Sequence, residues 1–460
     1  MIAGDPAIPP PGPPHDATLP APAERVLDNG LRVVAFAQRT LPLIAAQLVV
    51  GCGGAAERED EAGLAALVAA LLTQGTTNRG AVEIAAASDA LGARLIATSG
   101  YDASVVSVSA TTPAFAQAFA LLDEIVRRPA FAPAEVDRVR AKSIADLALA
   151  YANPNAIARA AGYRLAYGGA PYGHPLAGTP ATLEALTRDR VAWFYERFYR
   201  PDDATLVIGG DLSVDDAFAL AERVLGGWRA PETAIGERPH VAPPPPREQV
   251  VIVDKPDSGR TALLAGRIAI ERRSPSYCAA TVASAVLSGY SGRLNQEIRV
   301  KRGLSYGAGA SLAARREQGT FFASTLVDHA RAAEATDVTL AAIRSLADAP
   351  ATDDELATRK ATILGGFHRS IETVEGITSA LGEHVLYDVP LDEMNGFAQR
   401  VLAVDADAVR RFAAHHLVPD TFVVLVGDSA KFAGDVTVAH GAVRVIPFDA
   451  LDLGSPTLGG

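Results

Sequence analysis

At 460 residues, 49% of them hydrophobic and 21% charged, the chain is too long for one ordinary core and too apolar for a disordered protein. Two or more folded domains are expected. A net charge of −11 argues against a nucleic-acid groove, which needs cations to neutralise phosphates, and no apolar run reaches the roughly 20 residues of a membrane-spanning helix. The two cysteines, Cys52 and Cys278, exclude a disulfide framework and a cysteine-rich zinc site. Two separate buried thiols are expected, with a single bridge between them as the alternative.

In chain order, residues 1–24 read as a flexible proline-rich tail with no charged and apolar run of a signal peptide. Such a start commonly follows a removed export signal, so the expected compartment is the bacterial periplasm, with the cytoplasm as the alternative. An N-terminal half follows over residues 25–238. It opens with strand, turn and longer strand in "LRVVAFAQRTLPLIAAQLVVG", and then the stretch "GLAALVAALLTQGT" predicts a helix closed by glycine. Helical spacing continues over Ala114–Arg127, Pro133–Leu149, Thr182–Phe198 and Val214–Leu225. The strand in "YRPDDATLVIGGD" lies between the last two.

The cluster "APPPPREQV" marks a linker at 239–249. A C-terminal half over 250–447 and a C-terminal tail over 448–460 complete the chain. The halves repeat one another. "LVPDTFVVLVGD" matches "YRPDDATLVIGGD", and Pro419 lies 218 residues after Pro201. "QVVIVDKPDSGRTALLAGRIAI" likewise matches the first strand pair, each being followed by an apolar helix, at Leu64–Leu72 or Tyr277–Leu287. Strands at both ends of each half with helices between predict an α+β fold: two homologous halves, each a mainly antiparallel sheet with helices on one side, paired like a clam.

These stretches, with "LDNGLRVV", "PYGHPLAGTPATLEAL" and above all "GRLNQEIRVKRGLSYGAGASL", together resemble the pitrilysin/insulinase-like zinc metallopeptidases, which include the mitochondrial processing peptidases. In that family the helix similar to Gly63–Thr76 carries H-x-x-E-H: two histidines four apart that bind zinc, and a glutamate that acts as general base. The matching positions here are Ala66, Ala69 and Ala70. Asp146 falls near the place of the family's third ligand, but one carboxylate cannot hold zinc, and a solvated helix charge is the simpler reading. None of the nine histidines restores the motif. His174 reads as a loop hydrogen-bonder, and His368 with Glu372 as a surface contact.

The second half keeps what the first lacks. "RVKRGLSY" predicts a helix from Ser291 or Gly292 to Arg302, stopped by a left-handed Gly303, with a strand beginning at Leu304. Taken alone, Arg299 would complement the helix dipole and Tyr306 would be ordinary strand packing. The resemblance implies another role: the matching arginine and tyrosine bind the substrate backbone and stabilise the oxyanion formed during proteolysis. It therefore implies a non-zinc-binding subunit of a heterodimeric metallopeptidase, with no cofactor in this chain and zinc in a homologous partner that carries an intact H-x-x-E-H. The expected substrate is an extended or unfolded peptide; no nucleic acid and no transmembrane segment are expected. A structural, assembly or peptide-binding subunit with the same fold is the alternative. The short "VLSGYSGRL" before the Arg–Tyr stretch, in place of a long glycine-rich loop, favours a bacterial type of subunit over a presequence receptor.

Overall fold

A computed structural model describes residues 19–234, 243–244 and 249–459. Most of the proline-rich tail and most of the 239–249 linker lie outside the described residues. The N-terminal half builds a six-stranded sheet from β1 (Ala23–Val26), β2 (Arg32–Ala37), β3 (Leu43–Val50), β4 (Arg94–Ser99), β5 (Ser104–Thr111) and β6 (Ala204–Gly210). Its order is β1-β2-β6-β3-β5-β4, with only the β2–β6 pair parallel. The C-terminal half uses β7 (Val250–Asp254), β8 (Thr261–Ile268), β9 (Ala308–Ala313), β10 (Thr320–Val327), β11 (Phe422–Gly427) and β12 (Val443–Pro447), in the order β12-β7-β11-β8-β10-β9.

Five strands of each sheet correspond in sequence and in place, and the duplication is therefore structural as well as textual. The sixth differs. β1 runs antiparallel to β2, whereas β12 arrives from the end of the chain and runs parallel to β7.

Each half covers one sheet face with its own helices. Phe115, Phe119, Leu122 and Ile125 close the N-terminal core, and Val282, Val286, Ile343 and Leu346 close the C-terminal one. The expected helices Ala114–Arg127 and Pro133–Leu149 appear as Thr112–Arg127 and Pro133–Ala150. The expected helix Thr182–Phe198 is two, Pro180–Ala185 and Arg188–Phe198. Thr187 divides them, its hydroxyl accepting the Arg190 N–H at 3.3 Å as a fresh N-cap.

The remaining faces are covered by exchange. The N-terminal helix Pro154–Tyr167 lays Ile157, Ala158 and Ala161 on Val251, Leu264, Phe322 and Val424 of the C-terminal sheet. The C-terminal helix Val374–Leu386 lays Ile377 and Leu381 on Val34, Phe36 and Val207 of the N-terminal sheet. A fully buried large apolar side chain contributes about 1.5–3 kcal/mol, so these faces join the halves firmly. Each exchanged helix carries a glycine at the contact. A Cβ on Gly162 would sit 2.9 Å from Leu264 Cδ2, and one on Gly382 would sit 3.0 Å from Gln47 Oε1.

The junction also holds polar groups. The Arg315 guanidinium lies 4.5 Å from the centroid of the Tyr101 ring, 5.6 Å from Tyr163 and 5.2 Å from Tyr172. Burial raises the Tyr101 and Tyr167 hydroxyls above their ordinary pKa and keeps them as donors, to the carbonyls of His174 and Gln318 at 2.8 Å each.

The described residues of the two expected tails are packed against the rest of the chain. Leu19 is buried, and its N–H donates to Asn395 Oδ1 at 3.0 Å. At the other end Leu453 and Leu458 enter the junction core. Arg164, whose side chain is 0% exposed, donates to the carbonyls of Leu453 at 2.7 Å and Gly454 at 2.9 Å, and pairs with Glu59 at 2.8 Å. Arg164→Met keeps the bulk but leaves those carbonyls without a donor. It is expected to lower stability by about 2–3 kcal/mol and to open residues 448–459 first. Denaturant unfolding and limited proteolysis check this.

Candidate functional site

The helix Leu64–Leu71 lies against the edge strand β4. Its start is held from a distance. Gly63 takes a left-handed φ of 96° and offers no capping side chain. The Glu57 carboxylate supplies the cap, accepting the Gly63 N–H at 3.0 Å and the Ala65 N–H. The fully buried Glu57 lies 3.3 Å from His174 Nε2, which also reaches the Gly54 carbonyl at 2.8 Å. Negative charge at a helix N-terminus answers the exposed N–H groups and the dipole, and burial raises the Glu57 pKa. His174, expected as a loop hydrogen-bonder, is thus a buried partner of this cap. Nothing in the spacing of the sequence pairs it with Glu57, which lies 117 positions away.

On that helix Ala69 is buried, and Ala66 and Ala70 are half-buried. These three positions carry methyl groups only, so they do not fit a zinc ion. Asp146 sits 61% exposed and pairs with Lys142 at 2.5 Å, which agrees with its reading as a solvated helix charge. Among the described residues no three His, Cys, Asp or Glu side chains converge to hold a metal ion.

In the C-terminal half the predicted helix before Gly303 is partly π-helical: a short turn at Arg293–Asn295 runs into a π-helix over Gln296–Lys301. Gly303 takes φ of 60°, as expected. The wider turn carries over into the stop, where the Gly303 N–H bonds Arg299 O at 3.0 Å and the Leu304 N–H bonds Ile298 O at 2.8 Å. π-helical turns are rare and frequent at functional sites. The following strand starts at Ala308, not Leu304, so Tyr306 stands in the loop before β9. Ser305 holds that loop, its hydroxyl accepting the Gly307 N–H at 3.2 Å, and Thr325 on β10 donates to the Gly307 carbonyl at 2.9 Å.

The four cations of the stretch differ sharply. Arg293 pairs with Glu355 at 2.9 Å and donates to the Ser345 carbonyl, while Lys301 and Arg302 both pair with Glu297. Arg299 has no acidic partner among the described residues; its guanidinium lies 5.1 Å from the centroid of the Tyr290 ring, which is 73% exposed. Tyr306 is 80% exposed, with the Arg260 guanidinium 5.2 Å from its ring centroid. The structure therefore places both residues on the surface beside β9, the free edge of the second sheet. Among the described residues no hydrogen bond ties either of them to the helix Leu64–Leu71.

Two family models match the chain. Residues 32–180 match the model described as insulinase (peptidase family M16), and residues 185–363 match that of the peptidase M16 inactive domain. The chain belongs to peptidase family M16. M16 relatives described as uncharacterized zinc proteases include one from Mycobacterium tuberculosis, 24% identical over 95% of this chain and 97% of its own length. Another, from Rickettsia bellii, is 26% identical over 66% of this chain and 73% of its own length. Among solved structures, an M16 inactive domain from Pseudomonas fluorescens superposes with a TM-score of 0.82 at 23% identity, covering 88% of this chain and 98% of that one. A protease from Helicobacter pylori gives 0.84 at 18% identity, covering 89% and 100%. At these identities the two structures speak for the M16 fold alone.

The Glu57 cap has a signature in pH. Because burial raises the folded-state pKa above the ordinary carboxylate value of about 4.5, the folded protein holds a proton there that the unfolded chain releases. The group therefore favours folding at low pH, and that contribution is lost as pH rises from about 4.5 through the raised value. Glu57→Gln is expected to remove this dependence, so wild-type stability relative to the variant falls as pH rises across that window. Urea unfolding at a series of pH values checks it.

Proposed function

We propose that this chain is the non-zinc-binding subunit of a heterodimeric M16 peptidase, supplying Arg299 and Tyr306 to an active site whose metal-binding residues lie on a homologous partner. The observation that carries this reading is the contrast within residues 293–306: every neighbouring cation is spent on an internal ion pair, whereas Arg299 and Tyr306 face solvent at a sheet edge. A tyrosine kept for packing would be covered. Surface presentation suits groups that act on a second molecule.

The chemistry follows from the donors. A guanidinium offers fixed N–H groups and a permanent charge, and a phenol offers one O–H. Pointed at a peptide carbonyl, they hold the main chain and stabilise the negative oxygen that develops as the carbonyl is attacked. The free edges of β4 and β9 offer unpaired backbone groups to an extended peptide, which can add to either sheet as a further strand. This favours unfolded chains over folded proteins as substrates. Ala66, Ala69 and Ala70 provide no ligand, so no step of the chemistry is assigned to the helix Leu64–Leu71.

The test begins with the tagged chain purified from its native host under mild conditions, measuring zinc content and chelator-sensitive cleavage of a quenched peptide. Zinc and activity are expected together with a stoichiometric second polypeptide. In that complex Tyr306→Phe is expected to lower kcat about 100-fold, with zinc content and assembly unchanged. A metal-free, inactive chain with no companion, or a complex indifferent to Tyr306→Phe, would replace this reading with the scaffold or peptide-binding one.

A further inference from the structure

The exchange of helices creates a cavity that neither half has alone. It measures about 310 Å³ and is lined by Asn155, Ala158 and Arg159 of the N-terminal helix together with Gly307–Gly309 and Ser324–Leu326 of the C-terminal sheet. Gly307 is the residue after Tyr306, and the bond from Thr325 to its carbonyl, 2.9 Å, fixes the cavity wall and the Tyr306 loop in one piece. The cavity therefore borders the loop that carries Tyr306.

Its polarity is one-sided. Leu263, Leu264 and Leu326 give apolar walls, Asn155 and Ser324 give neutral polar groups, and Arg159 is the single charged side chain in the lining. Arg159 is exposed and has no acidic partner among the described residues; its guanidinium lies 5.8 Å from the centroid of the Phe322 ring. An arginine whose guanidinium stands near an aromatic ring with no acidic partner among the described residues is available to a carboxylate.

The duplication supplies an internal control. The equivalent cavity on the N-terminal sheet, about 210 Å³, is lined by Glu375, Thr378 and Ser379 of the other exchanged helix. These stand 220 residues after Asn155, Ala158 and Arg159. There the counterpart of Arg159 is Ser379, and the charges in the lining, Arg94 and Glu375, are of opposite sign. Among the described residues, one copy is lined by charges of both signs and the other by a single cation.

We infer that the cavity beside Tyr306 is a specificity pocket for a carboxylate of the extended peptide, either an acidic side chain or the C-terminal group, recognised by Arg159. This rests on the reading of Tyr306 as a residue that faces the substrate. It adds a selection that the Arg299–Tyr306 pair cannot make, because backbone carbonyls are the same in every peptide.

The test uses the purified full chain and fluorescent octapeptides of alanine and serine. One has blocked ends and a central Glu, a second has Gln there, a third has Lys, and a fourth is the Gln peptide with a free C-terminus. At low ionic strength the Glu peptide, the free-ended peptide or both are expected to bind about tenfold tighter than the blocked Gln peptide, and which of them does so identifies the source of the carboxylate. Arg159→Gln is expected to bring the ratio to about one with the melting temperature unchanged. Arg159→Glu is expected to shift the preference to the Lys peptide, a reversal that a merely structural role would not produce. Equal or absent binding of all peptides by the wild-type chain, or a ratio that survives in Arg159→Gln, overturns the pocket. Binding is read on this chain alone, so it is separable from turnover: a preserved ratio in a chain whose complex ignores Tyr306→Phe would sink the proposed catalytic role and leave the pocket standing.

Discussion

The second face of each sheet is the constraint on which this molecule depends. A sheet buried on one side leaves the other in water, and here that other side carries Val34, Phe36 and Val207 in one half and Val251, Leu264 and Phe322 in the other. Each half solves the problem of its neighbour by lending one helix. The glycines at the two contacts let helix and sheet approach closely, and a side chain at Gly162 would press on Leu264. Several other features follow from this trade: the Arg315 guanidinium among its tyrosines, the C-terminal segment clamped by Arg164, and the cavity beside the Tyr306 loop. All of them sit where one half rests on the other.

Duplication placed two equivalent frames in one chain, and chemistry diverged on them. In the first frame the helix Leu64–Leu71 keeps its position through the buried Glu57 cap and its contact with β4, and Ala66, Ala69 and Ala70 give it methyl groups only. In the second, the π-helical turn brings Arg299 to the surface next to β9 and leaves Arg293, Lys301 and Arg302 paired with carboxylates. Holding a helix in place and giving it polar side chains are separate tasks: Glu57 does the first for the helix Leu64–Leu71, whose own residues are all Leu, Ala or Val.

Much of the architecture was legible. The prolines 218 residues apart, the matching strand pairs and the helices at 3.6-residue spacing announced two α+β halves, because local periodicity and turn chemistry act over a few residues. The helices Val214–Leu225 and Tyr277–Leu287 stand where their patterns put them. A second repeat gains its meaning only from the fold: Ile157-x-x-Ala160-x-Gly162-x-x-x-x-Tyr167 recurs as Ile377-x-x-Ala380-x-Gly382-x-x-x-x-Tyr387. It marks both exchanged helices, but its glycines look like helix weaknesses until the opposing sheet is present. The start of β9 differs from the sequence pattern for a related reason. The π-helical turn and the Ser305–Gly307 contact delay the strand by four residues, and neither has a signature in residue type.

The sequence by itself determined the duplication, the strands and helices of each half, the methyl groups on the helix Leu64–Leu71, and the Arg299–Gly303–Tyr306 spacing. These depend on side-chain identity and on neighbours a few positions away. Only the tertiary structure decided which sheet each helix covers, that Glu57 and His174 meet, that among the described residues Arg299 alone of four cations has no acidic partner, and that Arg159 lines a cavity bordering the Tyr306 loop from the other half. Those facts arise from contacts between residues more than a hundred positions apart, or from competition among neighbours for the same carboxylate, and such contacts exist only once the chain has folded; the Arg159 cavity further requires the exchange of helices between the halves.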